Sequence, residues 1–282
     1  MRKVLVCLSI YLLIAFSFKA VSADELRPTI DEHKIEVFIS NEYSHIDFSG
    51  NDRLSYYVFN KAYRGYLNLL NAGKVNPDKK IISICDFNLP STENRLWIID
   101  LATGKVLFNT YVAHGQGSGE ECAQTFSNKS DSHQSSLGFY VTSETYNGEH
   151  GISLKLNGMD HGFNDAAFDR GIVVHGANYV SQEFINGNER LGRSWGCPAV
   201  ADELKMPIIN AIKDGTCMFI YSPDSKYEKN AYWLNKRIER LPEPDMYLAL
   251  AMPTAKPKCT KVVYQYEHNG KVDSSRTVPV AQ

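Results

Sequence analysis

The sequence has little cysteine, six residues in 282, and none of it falls in a C-x-x-C spacing, nor do any two histidines stand as H-x-x-H. Zinc ligation by such pairs is therefore not expected, and no other metal or cofactor is expected either. An excess of positive charge is also lacking: 30 Lys and Arg face 32 Asp and Glu, a formal charge of −2. That balance argues against a nucleic-acid partner. No internal repeat is present. Long apolar runs are absent except one, Val4 to Phe18, so no membrane span is expected once that segment is removed.

That run belongs to MRKVLVCLSIYLLIAFSFKAVSA, with Arg2 and Lys3 before it and Val21 and Ala23 at the small-residue positions of a cleavage site. The pattern reads as a secretory signal peptide over residues 1–23. Cleavage would remove three basic side chains and no acidic one, leaving a charge of about −5. Export with no lipid-anchor pattern points to the periplasm. Five cysteines then remain, Cys85, Cys122, Cys197, Cys217 and Cys259. In an oxidising compartment an odd number leaves one thiol unpaired, and the sequence does not say how the others pair.

Residues 24–52 are polar and weakly patterned, a loosely packed lead-in. From Leu54, LSYYVFNKAYRGYLNLLNAGK puts Leu54, Val58, Ala62, Tyr66 and Leu70 on one helical face and stops at Gly73. Short apolar segments follow at 81–87, 95–101, 105–113, 137–146, 151–156, 171–176 and 216–222, with a further helix predicted over 201–215. Repeated short strands with few helices predict a mainly β domain, a sandwich or open barrel. Proline-rich LPEPDM and AMPTAKPK lead to a tail able to form one hairpin about Asn269 and Gly270.

Two nucleophiles compete in GRSWGCPAV, residues 192–200. GRSWG satisfies G-x-S-x-G, but a serine elbow needs a strand running into the turn and a histidine after it. EFINGNERL is too polar for that strand, and His268 in the tail is the one histidine downstream. Cys197 is the better nucleophile: a thiolate attacks well near neutral pH once a base or a helix start lowers its pKa, and Pro198 and a helical pattern follow. His175, at the end of GIVVHG, is its natural base, and Gly176 beside it lets substrate or backbone approach.

YVAHGQGSG (111–119), FSN (126–128), the stretch from Ser135 to Ser181 and RLGRSWGCPAV (190–200) resemble the L,D-transpeptidase catalytic domain family, its secreted murein branch in particular. The resemblance runs from about Leu54 to Tyr221. It rests on a histidine and glycine on a strand, here His175 and Gly176, followed by a Ser-x-Gly-Cys turn, here Ser194, Gly196 and Cys197. It implies an L,D-transpeptidase-type β-sandwich or open barrel with a few peripheral helices. The chain then divides into signal peptide 1–23, lead-in 24–52, catalytic domain 53–223 and C-terminal extension 224–282.

The resemblance also implies the chemistry. A peptidoglycan stem peptide ending in D-alanine would acylate Cys197 through its third residue, with His175 as general base. An amine would then take the acyl group from the thioester. Backbone amides of the SWGC turn are expected to hold the oxyanion, a service that needs no particular side chain but favours Gly196. Arg193 suits a substrate carboxylate, or pairs with an acid such as Glu189. Ser194 orients the turn or touches substrate. Trp195 stands where many members have histidine, as an apolar wall, an indole donor or a packed aromatic. His114, His150 and His161 read as loop or strand-end contacts rather than cleft residues. The alternatives are an L,D-carboxypeptidase on the same bond and a wall-binding protein without turnover, which a disulfide from Cys197 to Cys217 or Cys122 would favour.

Overall fold

The computed structural model describes residues 30–149 and 151–242, with four two-residue strands between 263 and 277. The signal segment and Cys7 lie outside the described residues. The chain divides into two units, 1–241 and 242–282. In chain order the first holds α1 (Glu32–Ser44), α2 (Tyr56–Asn71), β1 (Ile81–Asp86), β2 (Leu96–Asp100), β3 (Lys105–Thr110), β4 (Gly138–Gly148) and β5 (Gly151–Gly158). Then come β6 (Val173–Ala177), α3 (Gln182–Asn188), β7 (Ala199–Ala201), α4 (Lys205–Ile212), β8 (Cys217–Tyr221), α5 (Ser225–Asn230) and α6 (Tyr232–Asn235).

The β-strands form one sheet in the order β3-β2-β1-β8-β4-β5-β6-β7. β1 with β8 and β6 with β7 run parallel, and the other neighbours antiparallel. Parallel partners need long crossovers, and the excursion between β6 and β7 carries α3 and the GRSWGC turn. Just past β3, the Ala113 amide donates to the Ala199 carbonyl of β7 at 2.8 Å. The two sheet edges thus meet, and the sheet is a nearly closed, barrel-like structure with few helices, as expected.

β1, β2 and β8 are buried along almost their whole length, so they read as continuous apolar runs rather than alternating ones. α2 covers them with Val58, Phe59, Ala62, Tyr63, Tyr66 and Leu67, all buried at helical spacing. Each such large side chain contributes about 1.5–3 kcal/mol by leaving water. Gly73 follows the last turn with φ +64°, which ends the helix where the sequence predicts.

Two boundaries differ from expectation. The polar lead-in contains α1, capped by the Asp31 carboxylate at the His33 amide and anchored by buried Ile35 and Ile39. Arg64 of α2 pairs with Glu32 and Glu36 on it. At the other end the first unit runs to Leu241 rather than stopping at 223. The Asn68 amide nitrogen donates to the carbonyls of Trp233 and Lys236 at 2.9 and 2.7 Å. The buried Asp160 carboxylate, raised in pKa by desolvation, accepts from Tyr227 Oη at 2.9 Å and the Phe139 amide at 2.8 Å. Burying that carboxylate demands donors, and α5 supplies one of them.

In the second unit Glu267–His268 pairs antiparallel with Lys271–Val272, the hairpin expected about Asn269 and Gly270, and Val263–Tyr264 pairs with Arg276–Thr277.

Candidate active site

The site is built on the β6–β7 ladder. His175 is in register with Ala199 and Ala177 with Ala201, so Cys197, two residues before Ala199, comes level with Val173, two before His175. The Val173 amide accordingly lies 3.4 Å from Cys197 Sγ, and the thiol faces the Gly171 carbonyl at 3.8 Å. Short β6, buried throughout, carries both His175 and the Val173 amide that meets the sulfur. Burial pushes the Cys197 thiol up, while the Val173 amide and the Arg170 guanidinium pull it down. Cys85, Cys122, Cys197 and Cys217 are all free thiols.

His175 is buried, and its Nδ1 lies 2.9 Å from the Gly176 carbonyl. A carbonyl only accepts, so Nδ1 carries the proton and the lone pair of the neutral ring is on Nε2. What comes close to Gly176 is not open space for substrate: a β-carbon there would stand 2.6 Å from Asp202 Oδ1 and 2.7 Å from Lys205 Cδ. Glycine at 176 lets the Asp202 and Lys205 side chains lie against the strand.

The turn itself is held from inside. Ser194 Oγ donates to the Cys197 carbonyl at 2.6 Å and accepts from the Gly196 amide at 3.1 Å. No strand enters this turn: α3 ends at Glu189 in the left-handed region, and irregular chain follows. Ser194 therefore orients the turn, and the elbow geometry is not present. The same contacts distinguish the turn's backbone amides. The Gly196 amide is engaged by Ser194, and the Ser194 amide by the His114 carbonyl at 3.0 Å. The turn amides that donate to no described residue are those of Trp195 and Cys197. Gly196 is required for its backbone: φ is +124°, and a β-carbon would fall 2.7 Å from the Gln134 carbonyl.

Arg193 pairs with Glu120, 2.7 Å away, and not with Glu189; it also donates to the Gly119 carbonyl at 3.0 Å. Glu120 reaches Arg190 as well. Trp195 is 70% exposed and stacks on His133, ring centroids 4.9 Å apart and planes 8° from parallel. It is exposed, with one face covered by the imidazole. His114 is a buried contact behind the turn. Arg95 donates to its Nδ1 at 2.7 Å and its Nε2 faces the Gly119 carbonyl, and burial with the Arg95 charge drops its pKa to about 3. His161 is exposed against Asp165, and His150 lies outside the described residues.

Sequence reasoning missed four participants. Ser135 accepts from the Gly115 amide and donates to the Gly196 carbonyl at 3.2 Å; Glu120, His133 and Arg170 complete the set. Ser135 and Arg170 lie within the stretch of resemblance, but neither carries a spacing that marks it. A cavity of about 240 Å³ lined by Tyr146, Lys155, Phe168 and Gly171 to Val173 abuts the segment that holds the sulfur. Among the described residues no group of three metal-ligating side chains occurs, and no helix is long and apolar enough to cross a membrane.

Comparison with known structures finds an L,D-transpeptidase from Mycobacterium smegmatis at 10% identity and a TM-score of 0.32, covering 51% of this chain and 59% of that one. One from Stackebrandtia nassauensis matches at 12% and 0.31, covering 66% and 77%. An L,D-transpeptidase solved in complex with imipenem matches at 11% and 0.31, covering 50% and 59%. The chain thus spans less than two thirds of the first of these structures. Comparison with curated proteins gives no match. The model of the L,D-transpeptidase catalytic domain matches residues 50–221, more than half of the sequence and the whole of the ladder and turn just described, and the chain belongs to that family.

Proposed function

We propose that this protein is a cysteine-dependent L,D-transpeptidase acting on peptidoglycan stem peptides. The observation that carries the reading is the β6–β7 register, which sets His175 level with Ala199 and puts the free Cys197 thiol on the Val173 amide. In the first step His175 Nε2 takes the thiol proton and Sγ attacks the carbonyl of the donor's third residue. The amides of Trp195 and Cys197 hold the oxyanion. The C–N bond to D-alanine then breaks, and the leaving amine takes the proton from the His175 imidazolium. An amine of a second stem attacks the thioester and regenerates the thiol.

Gly196 and Ser194 serve by shaping the turn, Arg193 by tying it to the 115–120 loop, and Trp195 as an exposed wall beside the sulfur. The N-terminal 23 residues would direct export, with the enzyme working in the periplasm; the mass of protein recovered there checks cleavage after Ala23. The deciding experiment exposes the protein to a carbapenem and to tetrapeptide stems. Cys197→Ala should abolish both the covalent adduct and D-alanine release. Ser194→Ala should keep the adduct on Cys197, and an adduct that moves with Ser194 instead would overturn the assignment.

A further inference from the structure

A cation that no motif announces stands beside the nucleophile. Arg170 lies in the irregular segment before β6, one residue from Gly171 and three from Val173, the two residues whose backbones touch Cys197 Sγ. Its Nη1 donates to the Ser127 carbonyl at 2.8 Å and Ser136 Oγ at 2.5 Å. Nη2 donates to the Gln134 carbonyl at 2.7 Å and Ser132 Oγ at 3.3 Å. All four acceptors are neutral, and no carboxylate pairs with Arg170 among the described residues, so its full charge is left to act on its surroundings. Those surroundings include the catalytic turn: a β-carbon on Gly196 would lie 3.3 Å from Nη2.

We infer that Arg170 is a positioning residue for the nucleophile, a fixed positive charge that favours the Cys197 thiolate in a turn where Trp195 replaces the histidine common among relatives. This rests on Cys197 being the nucleophile. The chemistry it assists is one proton transfer, from Sγ to His175 Nε2, which leaves a thiolate and an imidazolium. A guanidinium held by neutral acceptors stabilises the thiolate without taking or giving a proton, and half-burial protects the effect from salt. Of the other cations near the pair, Lys205 against Gly176 is bound to Asp202 and Lys155 beside Gly171 to Val173 is bound to Glu144, each at 2.8 Å, so their charge is already matched by a carboxylate. Tyr179, after β6, is raised to about 12 by burial and the nearby thiol; Tyr140 of β4, which faces the guanidinium, is raised by burial. Both shifts favour the neutral phenol, which carries no positive charge in either form. His175 becomes charged only as the thiol loses its proton.

The test is the pH dependence of iodoacetamide alkylation on the whole protein, followed at the Cys197 peptide by mass so that the other cysteines do not contribute. Arg170→Gln should raise the apparent thiol pKa by about one unit, tenfold less thiolate at a given pH. Arg170→Lys, which keeps the charge but not the fork, should stay within about 0.3 of the parent on that scale. An unchanged value in the Gln variant, or an equal rise in both, would overturn the inference. Should the Gln variant not fold, the Lys variant decides alone: a value at the parent's supports the charge, a unit's rise refutes it. Alkylation needs no substrate, so failure here is distinct from failure of the transpeptidase reading, which the Cys197→Ala adduct experiment decides.

Discussion

The hydroxyl of Ser194 is committed on both sides, to the Cys197 carbonyl and the Gly196 amide. Ser194→Ala should therefore cost about 1–3 kcal/mol, mostly the unsatisfied amide, and slow acylation without moving it to another residue; thermal melts and adduct mass measure the two effects. His114 makes a pH prediction. Its folded pKa of about 3 lies below the ordinary 6.5, so the folded state binds the proton less well than the unfolded chain. The neutral ring's contribution is complete above about pH 6.5 and is lost as pH falls from there toward 3. Urea titrations across that window should show stability declining, and His114→Gln should flatten that acid limb while lowering stability at pH 7. At this scale the sequence was informative about local backbone: the missing strand before Ser194 was legible in polar EFINGNERL, and the strand that ends around His175 in the apolar run before it. Arg170 and His133 were illegible because their roles arise from contacts between distant segments, and arginine or histidine in a loop has many ordinary explanations.

Strands announced themselves better than the short helices. The apolar segments at 81–87, 95–101 and 216–222 appear as β1, β2 and β8 within a residue or so at each end, since buried strands need β-branched and aromatic side chains. β7 escaped because three residues, Ala-Val-Ala, carry no period. α5 escaped because SKYEKN is polar and buries only Tyr227; its place is set by the Asp224 cap and the Asp160 acceptor, not by an apolar face. This has a consequence for truncation. A chain ending at 223 loses the Tyr227 donor to Asp160 and the Trp233 and Lys236 carbonyls that accept from Asn68, and should be strongly destabilised or aggregate. One ending at 241 should keep a cooperative melt close to the parent's. Circular dichroism melts of the two truncations distinguish the outcomes.

For the molecule as a whole, the decisive event is the meeting of the two sheet edges. Ala113, Ala177, Ala199 and Ala201, all buried, line that seam with Val180 and Leu191, and their small side chains let β7 approach the chain beyond β3. Ala199→Leu should overpack it at about 1–3 kcal/mol, lowering the melting temperature and, because Cys197 is two residues away, slowing its alkylation too. The strand order was not legible in advance: β8 inserts between β1 and β4, and its pairing with β1 joins segments over a hundred residues apart, which local patterns do not encode. One more property belongs to the whole chain. Of its three tryptophans, Trp97 and Trp233 are 2% and 8% exposed, while Trp195 stands in water against an imidazole face. Its fluorescence is then the component open to a soluble quencher and the one damped by its stacked neighbour, so the residue two places before Cys197 doubles as an optical probe of the turn.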